Sequence, residues 1–161
     1  ELWEEKLGFK EATKLNAAMK RGQDLEEEAR TLASHEIGTS FDPCVLEHSK
    51  HTWLAASLDG MSKGGYTILE IKCPKDATHQ NAIEGIIPPY YEDQIQAQLL
   101  VSGAGCCIFF SYRPERKDKP YAIIEVYPDR QKHDEIIEKG YKFYKQMCTM
   151  EAPEEWKFKP K

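Results

Sequence analysis

The chain has 161 residues, with 22 Lys and Arg against 27 Asp and Glu, a formal net charge of −5. That length fits one domain with a sizeable core, and the acidic balance excludes a globally basic nucleic-acid binder while leaving room for a local basic groove. Nothing resembles a signal peptide and no apolar run is long enough to cross a bilayer, so a soluble intracellular chain is expected.

Residues Leu2 to Ala33 read as helical, with Leu15, Met19, Leu25, Ala29 and Leu32 at roughly helical spacing and Gly22 as a weak point. Glu26, Glu27 and Glu28 form a charge run, first of all a solvated helix face, and Arg30 stands one turn beyond Glu26 as a pairing partner. Gly38 to Pro43 is a loop, Cys44 to Glu47 a short strand and His48 to His51 a turn. His48, His51 and the later His79 are read as solvated, since no Cys or acidic partner stands at ligand spacing. The five cysteines form no CxxC and cannot all pair, which points to buried reduced thiols.

Trp53 to Leu58 is a second strand ending at Asp59-Gly60. Ser62 to Gly65 is turn chemistry, and Tyr66 to Cys73 is a third strand stopped by Pro74. In that strand Glu70 and Lys72 share one face, and Leu69, Ile71 and Cys73 share the other. An acid and a base lie side by side on an otherwise apolar strand, with Asp59 at the end of the strand before. Carboxylates converging there would make a site for a hard divalent cation. The plainer reading is a solvated edge strand, with Asp59 serving the turn.

Asp76 to Pro89 is expected as a loop with one helical turn at most. Tyr90 to Ser102 is a helix that buries Ile95, Leu99 and Val101. Tyr91, Gln94 and Gln98 share a face of it, and Gln94 suits a core poorly because a buried glutamine must be paired. Cys106 to Tyr112 and Tyr121 to Tyr127 are strands joined by the basic loop Arg113 to Pro120. Asp134 to Met147 closes the chain as a helix with an apolar stripe of Ile136, Ile137, Tyr141, Tyr144 and Met147. One domain is expected over residues 1–150 and a tail over 151–161. This order of elements predicts an α/β sandwich around a mixed sheet.

The ordered set ASLDG, then a turn, then LEIKCP resembles the PD-(D/E)XK nuclease superfamily, in its phage lambda exonuclease / YqaJ-type branch. A second motif of that branch, a Gly, a Glu four residues on and then Ala-Arg, matches Gly22, Glu26 and Ala29-Arg30. A third, a Tyr with Gln-x-Gln, matches Tyr91, Gln94 and Gln96. Leu58 stands where the family usually has Pro. The spacing of the four-cysteine iron–sulfur cluster carried by some relatives is missing, and so is the branch's N-terminal segment with its Trp, Arg and Thr-Ala-Ser stretch.

The resemblance implies a restriction-endonuclease-like fold and Mg²⁺- or Mn²⁺-dependent hydrolysis of double-stranded DNA, with an end-directed exonuclease favoured. A structure-specific endonuclease and a non-catalytic DNA-binding module are the alternatives. It implies Asp59, Glu70 and the backbone carbonyl of Ile71 as metal ligands and Glu26 as a further carboxylate. Lys72 would orient the attacking water, with Gln94 beside it. Lys75, Tyr91, Gln96, Arg113, Arg116 and Lys117 are the expected DNA contacts. It also implies a trimer, a single-strand annealing protein as partner, and a place in the cytoplasm of a phage- or prophage-bearing bacterium, or inside a eukaryotic cell or its nucleus. Without the missing segment, cleavage is expected with weak end capture and little preference for a 5′-phosphate.

Overall fold

A computed structural model describes residues 6–8 and 17–151. The tail over 152–161 and the start of the expected first helix lie outside the described residues. In chain order the elements are α1 (Ala17–Ile37), β1 (Phe41–Glu47), β2 (Ala55–Ser62), β3 (Thr67–Lys72), α2 (Asp76–Ile83), α3 (Pro89–Ser102), β4 (Cys106–Tyr112), β5 (Tyr121–Val126) and α4 (Arg130–Cys148). The strands form one sheet in the order β1-β2-β3-β4-β5. Among the described residues only β3 and β4 run parallel; the other three pairings are antiparallel. A parallel step needs a crossover, and α2 with α3 supplies it.

The period of two in the strands divides the core between the two faces of the sheet. Leu69 and Ile71 of β3, with Ile108, Phe110 and Tyr112 of β4, pack against Ala29 and Ala33 of α1. Ile68 of β3 and Cys107 and Phe109 of β4 face the other way, onto Ala82 of α2 and Ile95 and Leu99 of α3. Glu70 falls on this second face, between apolar neighbours. α1 and α3 stop at left-handed glycines, which carry that conformation without steric strain: Gly38 (φ 76°) bonds back to Ser34 O, and Gly103 (φ 67°) to Leu99 O.

Four expectations are corrected. The first strand begins at Phe41, inside the expected loop, because Pro43 sits at a register shift of the edge strand where no ladder donor is required. The expected loop after Pro74 holds an eight-residue helix, α2. The last helix starts at Arg130, because Asp129 caps it by accepting from Gln131 N and Lys132 N. Its apolar stripe is not core: α4 buries none of its residues, and Tyr141 and Tyr144 lie against the Trp53 ring with centroids about 6 Å away.

His79 overturns its expected exposure. It is fully buried (0% exposed), with Nδ1 2.8 Å from Ser111 Oγ and Nε2 2.9 Å from the Lys119 carbonyl oxygen. That carbonyl can only accept, so Nε2 carries the proton. His48, by contrast, caps its turn by accepting from Lys50 N and His51 N.

At Gly60 three strands crowd together. A Cβ there would stand 2.6 Å from Phe41 Cβ and 3.2 Å from Leu69 Cβ, neither of which can swing away. At Gly64 nothing lies within 4 Å. Gly60→Ala should therefore lower unfolding free energy by about 1–3 kcal/mol in denaturant titrations, while Gly64→Ala should leave it nearly unchanged.

Candidate active site

The β2–β3 hairpin brings the acidic residues together. β2 runs past its expected end at Asp59-Gly60 to Ser62, so Asp59 lies within the strand, half-buried between the buried Leu58 and Gly60, and Glu70 and Lys72 lie near the end of β3. Glu70 is 1% exposed. A carboxylate so withdrawn from water needs hydrogen bonds and an opposite charge. Lys72 Nζ pairs with Glu70 Oε1, which also accepts from Gln94 Nε2 at 2.9 Å; Oε2 accepts from Gln98 Nε2 at 2.6 Å. Gln94 Oε1 in turn accepts from Lys72 Nζ at 3.2 Å, and the Lys72 ammonium lies 4.9 Å from the Tyr91 ring centroid. The placement of α3 across β3 makes this triangle of Glu70, Lys72 and Gln94.

Asp59 joins from the other strand. Its Oδ2 accepts from Ile71 N at 2.7 Å, and its backbone carbonyl accepts from Arg30 Nε at 2.6 Å. The same Arg30 pairs with Glu26 one turn earlier on α1. These groups open into one cavity of about 910 Å³, whose wall includes Glu26, Asp59, Glu70, Ile71, Lys72, Tyr91 and Gln94. Lys75, Arg113 and Arg21 complete its rim. Arg21 donates to Cys73 O at 3.0 Å and to both carboxylate oxygens of Glu115; Arg113 donates to Pro74 O at 3.1 Å.

Two of the expected DNA contacts, Arg116 and Lys117, line a neighbouring surface depression instead, where Arg116 stands near Asp76 and Asp118. Gln96 is corrected outright. It is buried, donates to Tyr127 O, and accepts from Asp129 N at 2.9 Å with His133 Nε2 also 3.0 Å away. Two residues along a helix is more than half a turn, so Gln96 faces away from Gln94 and pins the start of α4. Sequence reasoning missed Gln98 as a partner of Glu70, although it had been set on the Gln94 face. It also missed Arg21, whose sequence carries no signal of its place at the rim, and the reach of Arg30 to Asp59.

The electrostatics are those of crowded carboxylates. Asp59 is pushed up to about 7, first by burial and next by the charge of Glu70, with Glu26 adding to it and the Ile71 N–H opposing it. An all-oxygen donor set of this charge suits a hard divalent ion. Among the described residues, however, no three His, Cys, Asp or Glu side chains surround one point as metal ligands do. The positive charge within the cluster is that of Lys72, while Arg30 takes up Glu26.

Comparison with known proteins follows the same lines. The model of the YqaJ-like viral recombinase domain matches residues 1–105. No curated protein matches the chain in sequence. The alkaline exonuclease LHK-Exo from Laribacter hongkongensis is 29% identical with a TM-score of 0.81 in one crystal structure, and 30% identical with a TM-score of 0.82 in another, in complex with dAMP. Both comparisons cover 92% of this chain and 77% of LHK-Exo. A phage-related exonuclease from Haemophilus somnus 129PT is 14% identical with a TM-score of 0.69, covering 94% of this chain and 81% of its own; that likeness is one of fold alone. The mixed five-stranded sheet flanked by helices is thus the restriction-endonuclease-like α/β fold.

The raised Asp59 has a consequence for stability. Its ordinary value is 3.8 and its folded value about 7, so its contribution is intact at low pH and is lost as pH rises through 7. Asp59→Asn keeps an acceptor for Ile71 N and removes the repulsion. In EDTA, the variant should melt at a higher temperature than the wild type at pH 8, and the difference should shrink towards zero at pH 4. Thermal melts across that range are the measurement.

Proposed function

This chain belongs to the YqaJ-like viral recombinase domain family, in the lambda-exonuclease-like branch of the PD-(D/E)XK nucleases, and on that premise we propose that it hydrolyses the phosphodiester bonds of double-stranded DNA from an end, with Mg²⁺ or Mn²⁺ as cofactor. The observation that carries the reading is the convergence of Asp59, Glu70, Lys72 and Gln94 on one cavity, with Asp59 driven upward first by burial and then by the charge of Glu70. Similarity to LHK-Exo, an alkaline exonuclease solved with a nucleoside monophosphate bound, supports exonuclease over endonuclease.

Asp59 and Glu70 would hold the cation with the carbonyl of Ile71, and Glu26 would add a carboxylate directly or through water. The cation, when bound, polarises a phosphoryl oxygen and makes a bound water more acidic. The chain's own groups do the rest. Lys72 offers a cationic donor beside the carboxylates, able to orient the attacking water and offset charge that builds on the phosphorus oxygens. Gln94, bonded to both Lys72 and Glu70, keeps the ammonium and the carboxylate in register. Tyr91 gives the cavity an aromatic wall on which a terminal base can stack. Arg21, Lys75 and Arg113 at the rim supply local positive charge for the phosphate backbone on an otherwise acidic chain.

Two measurements test this. With linear, nicked and closed circular duplexes, Mg²⁺ should cause loss of linear DNA while closed circles survive, and EDTA should stop it; loss of circles would mean an endonuclease, and a shifted but intact band a DNA-binding module. Glu70→Gln and Lys72→Ala should each lower the cleavage rate at least about a hundredfold. Glu26→Gln should fall well below Glu27→Gln, which is expected to stay near wild type because Glu27 lies outside the cavity. Equal tolerance at positions 26 and 27 would remove Glu26 from the ligand set.

A further inference from the structure

Beside the site, β2 and β3 are barely a ladder. They pair at Gly60–Leu69 and Met61–Ile68 and part at the next residues, Asp59 and Glu70. Two side-chain ties span the resulting fork. One is the bond from Ile71 N to Asp59 Oδ2. The other is Gln98, reaching in from α3: its Nε2 donates to Glu70 Oε2 at 2.6 Å and to the backbone carbonyl of Ser57, on β2, at 3.1 Å.

Gln98 is 3% exposed, too deeply buried to meet a substrate. Both donors of its amide are used, yet its Oε1 is buried without a hydrogen-bond partner. Turning the amide over would set that oxygen against the Glu70 carboxylate, so the carboxylate fixes the orientation. A buried amide held with one end unpaired is uncommon and calls for a reason in the site it serves.

We propose that Gln98 is a positioning residue for the reaction: a strut between β2 and Glu70 that sets the opening of the fork, and with it the spacing of Glu70 from Asp59. With Gln94 one turn earlier on the other oxygen, it also fixes the plane of the Glu70 carboxylate. The inference rests on the reading of Asp59 and Glu70 as ligands of a divalent cation.

Gln98→Met keeps the length and removes the donors. Three quantities separate the strut from a general packing role: Mn²⁺ affinity by calorimetry without DNA, amide exchange at Ile71 in metal-free protein, and kcat and KM on linear duplex. The expected result is a 10- to 100-fold loss of Mn²⁺ affinity, as roughly found when partners of metal ligands are removed. The Ile71 amide should exchange faster while the β4–β5 ladder stays unchanged, and kcat should fall with little change in KM. Wild-type Mn²⁺ affinity together with wild-type exchange at Ile71 would overturn the proposal. If the unaltered protein neither binds Mn²⁺ nor cuts DNA, the cation reading fails by itself. Exchange at Ile71 then decides the strut alone, faster exchange upholding it and unchanged exchange overturning it. Should Gln98→Met not fold, Gln98→Asn carries the same test, because its amide is one methylene too short to span the fork.

Discussion

Glu70 is an ionisable side chain placed on the inner face of a strand whose neighbours are apolar, and much of the molecule is arranged to keep it there. Removing a carboxylate from water costs several kcal/mol unless charge and hydrogen bonds replace the hydration. Lys72, two residues along the same strand, supplies the charge. The hydrogen bonds come from α3, which gives Gln94 and Gln98 to the sheet face. That helix therefore relies on Ile95, Leu99 and Val101 to bury its apolar side. Its polar contacts set the lateral position of the helix, since two amides one turn apart have to meet the two oxygens of one carboxylate.

Much of this arrangement was legible from residue order. The alternation through Leu69, Glu70, Ile71 and Lys72 has a period of two that survives folding unchanged, and Asp59 reaches the pair because a short turn folds β2 back onto β3. Gln94 stood out because an amide does not belong on a buried helix face unless something meets it. What stayed hidden depends on contacts far apart in sequence. His79 is polar and lies in a segment of weak periodicity; the partners that let it be buried, Ser111 and Lys119, stand 32 and 40 residues away. Gln96 enters the expected DNA contacts through the family motif and not through the helical period. Residues 94 and 98 share a face and 96 does not. The aromatic stripe of α4 has the spacing of a core helix, but its ring contacts are with Trp53, in the turn between β1 and β2.

The rim shows how one set of cations serves two ends. Beyond Lys72 the β3 ladder is finished, and the next two carbonyls, of Cys73 and Pro74, have no strand to bond to. Arg21 from α1 takes the first and Arg113 from the β4–β5 loop takes the second. Acidic neighbours balance them, Glu115 beside Arg21 and Asp76 beside Arg113. The positive potential of the cavity mouth is therefore local and moderated, in keeping with a chain whose overall charge is negative.

The buried His79 makes the segment from Arg113 to Pro120 less of a loop than its length suggests. Its ends are closed by Arg113 N to Pro120 O, its interior by Arg116 N to Arg113 O, and its far side by the imidazole on Lys119 O. Through Ser111 that imidazole is keyed to β4 in the row where Ser111 pairs with Lys72. With its ends, its interior and its far side each tied in the free chain, the cost of ordering this segment is met in folding and does not fall on any later encounter.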